Sequence, residues 1–512
     1  MRAIATVSQI RAAEQSWFDT HPGKDLMTEA AGHVASTALS MVGAHARVLV
    51  AVGTGNNGGD GLYAARDLAE AGCDVAVWCT GSRWHVEGRA AAEKAGCVFA
   101  EAADTIEGLA EADLVIDAVL GIGGRAGLRT PVAEFARACA DMGVPVLSVD
   151  LPSGLAADSV GAAFIDQASG LSGDSDSVTP VGQRDPAGPI GPERQADRAD
   201  QPMSFRATRT ITFGALKLCQ QAAPARDACG EVELAPIGLS IADPQLWAAD
   251  QADIAARWPF PGSTSDKYSR GVVGLDTGSQ RYPGAGVLST TGALFSGAGM
   301  IRFCGAQRSA ELIEASMPSV TFGSGRVQSW VLGCGWGDRD DARAVIAQRV
   351  GERLPVVLDA DALRALPDRL PDTCLLTPHA GELARLLDVS RAEVVADPVA
   401  SARSAAQKLG ATVLLKGATQ YVAEPSGRVT LAVAGPAWTA QAGSGDTLAG
   451  ICGTLLAAGL SPRWAGVLAA SVQAMTAAAR LGPYPPDVLA RRLPGVLAKL
   501  ETRAHKARRI AR

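Results

Sequence analysis

The sequence has few of the features that mark membrane, disulfide-rich or nucleic-acid-binding proteins. Its ten cysteines include no Cys-x-x-Cys pair, so we expect reduced core residues, and its six histidines form no cluster with metal-ligand spacing. No apolar run of about twenty residues predicts a membrane span, and the N-terminus lacks the apolar core of a signal peptide. A net charge of −6 gives no basic footprint for nucleic acid. We therefore expect a cytoplasmic protein without nucleic-acid or membrane partners.

What is present is an ordinary globular composition on a long chain. The hydrophobic fraction is 47% and the charged fraction 20%, and 512 residues predict more than one domain. Apolar runs of strand length alternate with helices in both halves, which predicts an α/β fold with parallel sheets covered on both faces. We assign residues 1–240 to a first domain, 241–258 to a linker and 259–500 to a second domain. Residues 156–202 are expected to be a disordered insertion.

Polar residues in the first half gather directly after the predicted strands. A loop from Asn56 to Asp60 follows one apolar run. Asp117 and Asp150 end two others, and Ser153 follows shortly. In a doubly wound sheet the carboxyl ends of the strands line the ligand crevice, although each residue alone could simply cap a turn. A classical dehydrogenase is disfavoured, because the first strand–helix turn lacks the Gly-x-Gly-x-x-Gly spacing.

The second half contains a glycine-rich turn, Gly443-Ser444-Gly445-Asp446, that opens into an apolar helix. Backbone N–H groups at glycines and the positive end of a helix dipole can hold an anion. A carboxylate beside a bound phosphate is repelled by it, so the presence of Asp446 at this turn indicates a chemical role. The turn therefore indicates phosphoryl transfer, with Asp446 taking a proton from a hydroxyl. A plain helix cap is the alternative interpretation.

Blocks in both halves resemble known enzyme families. The second-half blocks are Lys267–Gly271, Tyr282–Ala285, Leu358–Leu363, Leu376–His379, Leu415–Thr419 and Gly443–Asp446. They resemble, in family order, the ADP/ATP-dependent NAD(P)H-hydrate dehydratases of the ribokinase-like superfamily. The first-half blocks are Leu26–Gly32, Gly55–Gly61, Asp117–Gly123 and Asp150–Gly154, which resemble the NAD(P)H-hydrate epimerases. The resemblance implies an N-terminal Rossmann-like doubly wound sheet followed by a C-terminal ribokinase-like α/β domain.

The order of the two blocks is that of bacterial bifunctional NAD(P)H-hydrate repair enzymes, which implies repair of damaged cofactors. NADHX and NADPHX carry a hydroxyl at C6 of the nicotinamide ring. The first domain would interconvert their R and S epimers. The second would phosphorylate the S hydroxyl and eliminate phosphate, with ADP as donor and AMP as product. We expect K⁺ in the first domain, Mg²⁺ in the second, and a homo-oligomer. The alternative is a ribokinase-like small-molecule kinase with a non-catalytic N-terminal binding module.

The resemblance assigns roles in the first domain. Asp150 would be the acid–base group. Asn57, Asp117 and Ser153 would hold K⁺, since their oxygen atoms suit a hard cation. The predicted substrate contacts are Asn56, Asn57, Gly58, Gly59, Asp60, Gly121, Ile122, Gly123, Gly124, Arg125, Ala126, Gly127 and Asp150.

The resemblance also assigns roles in the second domain. Asp446 would be the catalytic base, with Gly443 and Gly445 around the donor phosphate. The predicted substrate contacts are Ala285, Gly335, His379 and Asp446. The predicted contacts to the donor nucleotide are Lys416, Gly417, Ala418, Thr419 and Gln420. For His379, a histidine held by its own turn is the alternative, and Asp359 and Asp361 could either hold Mg²⁺ through water or cap a loop.

One block departs from the family pattern. Cys334 and Trp336 stand in the segment Gly333–Gly337, where smaller or proline residues are common in the dehydratases. This departure affects the contacts expected of the segment and leaves the assignment of the domain unchanged.

Overall fold

The protein forms two compact units, each with its own sheet. The structure, a computed structural model, describes residues 1–161 and 204–510. The N-terminal unit is Ala5–Ala242, and the C-terminal unit combines Met1–Ile4, which contains strand β1 (Arg2–Ile4), with the chain from Asp243 onward. The first four residues therefore do not belong to the domain predicted for residues 1–240.

The N-terminal unit is a parallel sheet of seven strands in the order β4-β3-β2-β5-β6-β7-β8. Its strands are β2 (Arg47–Val52), β3 (Asp74–Cys79), β4 (Val98–Phe99), β5 (Leu114–Ala118), β6 (Val146–Val149), β7 (Arg209–Phe213) and β8 (Glu231–Ala235). Its helices are α1 (Val7–Thr20), α2 (Leu26–Val42), α3 (Asn56–Glu70), α4 (Val86–Lys94), α5 (Ala102–Gly108), α6 (Val132–Met142) and α7 (Leu218–Gln221).

Both faces of this sheet are covered, as its uninterrupted apolar strands predict. Along β2, Val48 and Val50 pack into a cluster with α2 and α3, whereas Leu49 and Ala51 pack into a second cluster with α6. The alternation follows from the two-residue period of a strand. The predicted doubly wound α/β architecture is confirmed.

The C-terminal unit contains a sheet of eleven strands in the order β1-β9-β18-β17-β16-β15-β14-β13-β10-β11-β12. The strands after β1 are β9 (Leu246–Ala248), β10 (Val272–Asp276), β11 (Met300–Phe303), β12 (Thr321–Phe322), β13 (Ser329–Leu332), β14 (Val356–Leu358), β15 (Cys374–Leu376), β16 (Thr412–Leu415), β17 (Tyr421–Ala423) and β18 (Val429–Leu431). The seven strands from β16 to β12 in this order are parallel to one another, and β17 runs antiparallel to both of its neighbours.

Helices surround this second sheet, and one of them is buried along most of its length. The helices are α8 (Gln251–Arg257), α9 (Pro283–Phe295), α10 (Gln307–Ser316), α11 (Ala342–Gly351), α12 (Ala380–Leu387), α13 (Arg391–Ala396), α14 (Pro398–Leu409), α15 (Ser444–Ala457), α16 (Pro462–Ala478), α17 (Pro486–Ala490) and α18 (Leu493–Ile510). Every residue of α15 from Thr447 onward is buried, so its first turn is held rigidly by the core behind it. In the part of the chain that the structure describes, no helix is long and apolar enough to cross a bilayer.

Two predicted connecting segments differ from the structure. The linker predicted for residues 241–258 contains β9 and α8, and β9 pairs with both β1 and β18. The strand β9 forms although the segment has few apolar residues, because β1 and β18 supply hydrogen-bond partners on both of its sides. Of the insertion predicted at 156–202, residues 162–202 lie outside the described residues. Ala156 to Gly161 are packed: Cys219 N–H donates to the carbonyl of Ala157, and Val7 N–H donates to the Asp158 carboxylate.

Candidate active sites

A cavity of about 390 Å³ lies beyond the carboxyl ends of β2, β5, β6 and β7. The predicted residues that line it are Asn56, Asn57, Asp60, Gly121, Ile122, Gly123, Gly124 and Asp150. Arg125 and Gly127 line a neighbouring cavity of about 610 Å³, which shares Gly123 and Gly124 with the first. Gly58, Gly59 and Ala126 line neither cavity. Most of the substrate contacts predicted for the first domain are thus brought to one place.

The predicted polar loop from Asn56 to Asp60 is the first turn of α3, which is a correction to the sequence prediction. Glycine makes the helix possible here because the backbone approaches β2 very closely. A Cβ atom on Gly58 would lie 2.1 Å from the carbonyl oxygen of Gly53. The unpaired N–H groups of this turn and the helix dipole favour an anion at the cavity.

Asp150 is held by contacts from three directions. Its φ of +68° turns the backbone sharply after β6. The backbone N–H of Ile122 donates to Oδ2 at 3.0 Å, and Lys217 Nζ donates to Oδ1 at 2.5 Å. The side chain of Gln220 donates to the backbone carbonyl of Asp150 at 2.7 Å. The carboxylate therefore has a fixed orientation at the cavity wall.

Lys217 lines the same cavity and is not among the residues predicted from the sequence. Its side chain is 1% exposed, and its ammonium group also donates to Thr212 Oγ1 at 2.6 Å and to the carbonyl of Phe213 at 3.0 Å. A buried ammonium is costly unless it is paired and hydrogen-bonded, and here each of its three protons has an acceptor. The sequence signal for Lys217 is only its position a few residues after β7, where a lysine is usually a solvated surface residue.

Asp117 and Ser153 form a buried polar pair. Asp117 is fully buried; Ser153 donates to it from both its hydroxyl (2.5 Å) and its backbone N–H (2.8 Å), and Ser148 donates at 2.9 Å. Burial raises the pKa of Asp117 to about 6 despite these hydrogen bonds. Asn57 is also buried, and its amide nitrogen has no hydrogen-bond partner among the described residues. Asp117, Ser153 and Asn57 thus offer carboxylate, hydroxyl and amide oxygens, which are ligand types that suit a hard cation.

In the C-terminal unit, Asp446 lies in the first turn of α15, and Gly443 caps that helix with a φ of +88°. Gly445 leaves room for a lysine, because a Cβ atom there would lie 3.1 Å from Lys416 Nζ. The helix N-terminus and the lysine ammonium both place positive charge beside the carboxylates at this turn.

Asp446, Asp359 and Cys334 come together at this turn. One side-chain atom of each lies within 4.8 Å of the others. Lys416 Nζ donates to Asp359 Oδ1 at 2.6 Å, and Thr377 Oγ1 donates to the same oxygen at 2.8 Å.

The surroundings of Asp446 raise its pKa. Burial, and then the negative charge of Asp359, raise the pKa of Asp446 to about 7, whereas Lys416 and the thiol of Cys334, which donates to Asp359 Oδ2 at 3.6 Å, act in the opposite direction. A carboxyl group with a pKa near neutrality is suited to accept a proton at physiological pH.

The glycine segment 333–337 packs against the start of α9. Gly335 has a φ of +63°, and a Cβ atom there would lie 2.5 Å from the Cβ of Ala285, so two predicted substrate contacts adjoin each other. Trp336 Nε1 donates to the carbonyl of Asp276 at 2.8 Å, which fastens the segment to the end of β10. The backbone N–H of Gly337 donates to Asp361 Oδ2 at 2.8 Å, so Asp361 caps this loop.

His379 is held by its own turn, the alternative that the sequence left open. Its Nδ1 accepts hydrogen bonds from the backbone N–H groups of Gly381 and Glu382 and so caps α12. Glu382 in turn accepts from the backbone N–H of His379 at 2.8 Å. Burial lowers the pKa of His379, which favours the neutral ring with its proton on Nε2. The side chain is 55% exposed, which leaves Nε2 accessible.

The residues predicted to contact the nucleotide, 416–420, differ in their exposure. Lys416 points inward to Asp359, as described, whereas Gly417 and Ala418 are exposed and Thr419 is buried. Gln420, directly before β17, is partly buried.

Comparisons with known proteins match both halves. Residues 273–493 match the family described as NAD(P)H-hydrate dehydratase, and residues 23–219 match the family described as YjeF-related protein N-terminus. The chain is 38% identical over 480 residues to the bifunctional NAD(P)H-hydrate repair enzyme of Mycobacterium tuberculosis, covering 90% of each chain.

Two further proteins are similar to this chain. The Mycobacterium leprae enzyme of the same name is 37% identical over 508 residues, covering 95% of this chain and 96% of its own. A crystal structure of an ADP/ATP-dependent NAD(P)H-hydrate dehydratase from Bacillus subtilis aligns with 49% of this chain and 98% of its own, at 26% identity and a TM-score of 0.47.

Proposed function

This chain belongs to the bifunctional NAD(P)H-hydrate repair enzymes, and on that premise we propose that each of its two units carries one of the two repair reactions. The N-terminal unit epimerises R- and S-NAD(P)HX. The C-terminal unit dehydrates S-NAD(P)HX to NAD(P)H, with ADP as the phosphoryl donor. The observation that carries the proposal is the presence of two separately built carboxyl sites, Asp150 with Lys217 and Asp446 with Lys416.

In the N-terminal cavity, Asp150 is the proposed acid–base group at the hydrated ring. The ammonium of Lys217 balances its charge, and the N–H of Ile122 fixes the carboxylate in place. The N-terminus of α3, which includes Asn56 and Asp60, adjoins the same cavity. That helix end would receive the pyrophosphate of the substrate, since backbone N–H groups and the dipole favour an anion.

In the C-terminal unit, Asp446 would take the proton of the C6 hydroxyl while that oxygen attacks the terminal phosphorus of ADP. The N–H groups at the start of α15, beside Gly445, and the Lys416 ammonium would stabilise the charge on the phosphoryl oxygens. The C6–O bond then breaks with loss of phosphate and of a proton from C5, which restores NAD(P)H. AMP and phosphate are the remaining products.

The donor chemistry fits K⁺ in the N-terminal unit, where Asn57, Asp117 and Ser153 would hold the ion. Its positive charge would compensate the buried Asp117 carboxylate. Mg²⁺ would enter the C-terminal unit on the phosphates of ADP, which carry oxygen atoms of the kind that this cation prefers.

The proposal is tested by incubating the protein with mixed R- and S-NADHX, K⁺, Mg²⁺ and ADP, and following NADH absorbance. We expect wild type to convert the whole mixture. Asp150→Asn should stall after the S fraction, and Asp446→Asn should form no NADH, since each loss of an acid–base group costs about 100-fold or more. Asp19→Asn, an exposed change on α1, is the matched control and should behave as wild type.

Other outcomes would separate the alternatives. If wild type converts only the S fraction, the N-terminal unit is a binding module. If neither ADP nor ATP gives NADH, the C-terminal unit is a kinase for another small molecule.

A further inference from the structure

The N-terminal cavity contains a carboxyl group that the proposed function leaves without a role. Glu14, on α1, lines the cavity together with Asp150, Asp60 and Lys217. It reaches the cavity from a helix that precedes the whole sheet in sequence, whereas Asp150 and Lys217 follow β6 and β7. Three carboxyl groups from different elements, Glu14, Asp60 and Asp150, therefore line one cavity.

Glu14 differs from Asp150 in its contacts. Asp150 accepts hydrogen bonds from Ile122 and Lys217. Within residues 1–161 and 204–510, Glu14 accepts no hydrogen bond and forms no ion pair, although its side chain is partly buried. Its carboxyl oxygens are therefore available to a ligand in the cavity.

The charges around Glu14 favour its protonated form. Burial, and then the nearby Asp150 carboxylate, raise the pKa of Glu14, while Lys217 and Arg11 act in the opposite direction. The other ionisable group that faces the cavity is Asp60 on α3; burial, Asp150 and Glu14 all raise its pKa. A carboxyl group with a raised pKa beside an ion-paired carboxylate is the arrangement that separates acid and base roles between two like groups.

Epimerisation at C6 needs both roles. In one balanced route, an acid donates a proton to the hydroxyl as the C6–O bond breaks, which releases water and leaves a cationic ring. A water molecule then forms a new C6–O bond on the other face and gives its proton to a carboxylate. One proton is donated and one is accepted, so the two carboxyl groups have exchanged protonation states when the epimer has formed. Epimerisation in the reverse direction restores the original states.

We propose that Glu14 is the second proton-transfer group of the epimerase site, acting as the partner of Asp150. This inference rests on the proposed epimerase function. The group that is protonated at the start donates to the departing hydroxyl, and the ionised group receives the proton of the incoming water.

The test uses the full-length protein and purified R-NADHX without ADP, with R and S epimers separated by chromatography. We expect Glu14→Gln to lower kcat for epimerisation by about 100-fold with KM changed less than about threefold, because one proton transfer is removed. Glu14→Asp should retain part of the activity and alter the pH profile. In H₂¹⁸O, each epimerisation by wild type should introduce ¹⁸O at C6.

Two controls accompany these variants. Asp19→Asn removes a carboxylate from the exposed side of the same helix and should leave the epimerisation rate unchanged. Dehydration of S-NADHX with ADP should be normal in every Glu14 variant, which shows that the protein is folded and active in its other unit.

The outcomes that overturn the inference are distinct from those that overturn the proposed function. Wild-type kcat in Glu14→Gln, or a raised KM alone, removes Glu14 from proton transfer while Asp150→Asn stays inactive. Epimerisation without ¹⁸O uptake excludes the water route. If wild type itself does not epimerise R-NADHX, the proposed function of the N-terminal unit fails instead.

Discussion

At the scale of single residues, Asp446 links the dehydratase reaction to pH. As a base it must be ionised, and its pKa is raised to about 7. We expect kcat/KM for S-NADHX to rise about tenfold per pH unit below that value and to level off above it. Cys334→Ala removes a neighbouring thiol that lowers the pKa of Asp446, so the midpoint should move to higher pH. Cys334→Ser supplies a stronger donor and should move it to lower pH.

The pH–rate profiles of the three proteins, measured with ADP and Mg²⁺ in excess, check this prediction. A common midpoint for all three would show that the thiol of Cys334 does not act on the ionisation of Asp446.

The charged residues of the two candidate sites differ in how readily the sequence identifies them. Asp446 and Asp150 stand in short glycine-rich or strand-end segments, where a carboxylate is conspicuous. Lys217 and Glu14 stand in no such segment, and only the fold brings them to Asp150. A lysine near a strand end or an acid in an amphipathic helix is usually a solvated surface residue, so the chain alone gave no reason to select them.

At the scale of elements, the first turn of α3 depends on glycine. The Cβ of Gly58→Ala would meet the Gly53 carbonyl at 2.1 Å, so the helix would have to move away from β2. We expect a loss of about 1–3 kcal/mol in the stability of the N-terminal unit and loss of epimerase activity. Gly32→Ala, inside α2 with open space around it, is the matched control and should add about 0.5–1 kcal/mol.

Calorimetry that resolves the unfolding of the two units, with epimerase assays, checks both substitutions. Equal stability in Gly58→Ala and Gly32→Ala would contradict the role given to the close helix–strand approach.

The same turn shows why helix starts were harder to predict than strands. The apolar run from Arg47 matches β2 closely, because a strand covered on both faces is an uninterrupted apolar run. The segment from Asn56 to Gly61 was read as a loop, since asparagine and glycine have low helix propensity. Packing against the sheet outweighs that propensity in the folded protein, and the ligand-binding turn is therefore helical.

At the scale of the whole molecule, the alternation of strands and helices predicts the two α/β folds. It does not predict the path of the chain, which places the first four residues in the C-terminal unit. β1 has only three residues, and its partner β9 lies more than 240 positions later in sequence. So short a strand carries no periodic signal of its own, and it forms because β9 provides its hydrogen-bond partners.

This path leads to a prediction about two neighbouring core residues. Ile4 and Ile10 are six positions apart and each is 2% exposed, yet Ile4 belongs to the C-terminal unit and Ile10 to the N-terminal unit. Ile4→Ala should therefore lower the unfolding temperature of the C-terminal unit, and Ile10→Ala that of the N-terminal unit. Each change should cost about 2 kcal/mol or more, or about 4–8 °C.

Calorimetry combined with residual activity after heating distinguishes the two units. ADP with Mg²⁺ should raise only the transition of the C-terminal unit, because a ligand stabilises the unit that binds it, and this identifies that transition. After brief heating, Ile4→Ala should lose dehydratase activity before epimerase activity, and Ile10→Ala should show the reverse order. If both substitutions lower the same transition, Met1–Ile4 does not contribute to the stability of the C-terminal sheet, and the division of the chain after residue 4 would be wrong.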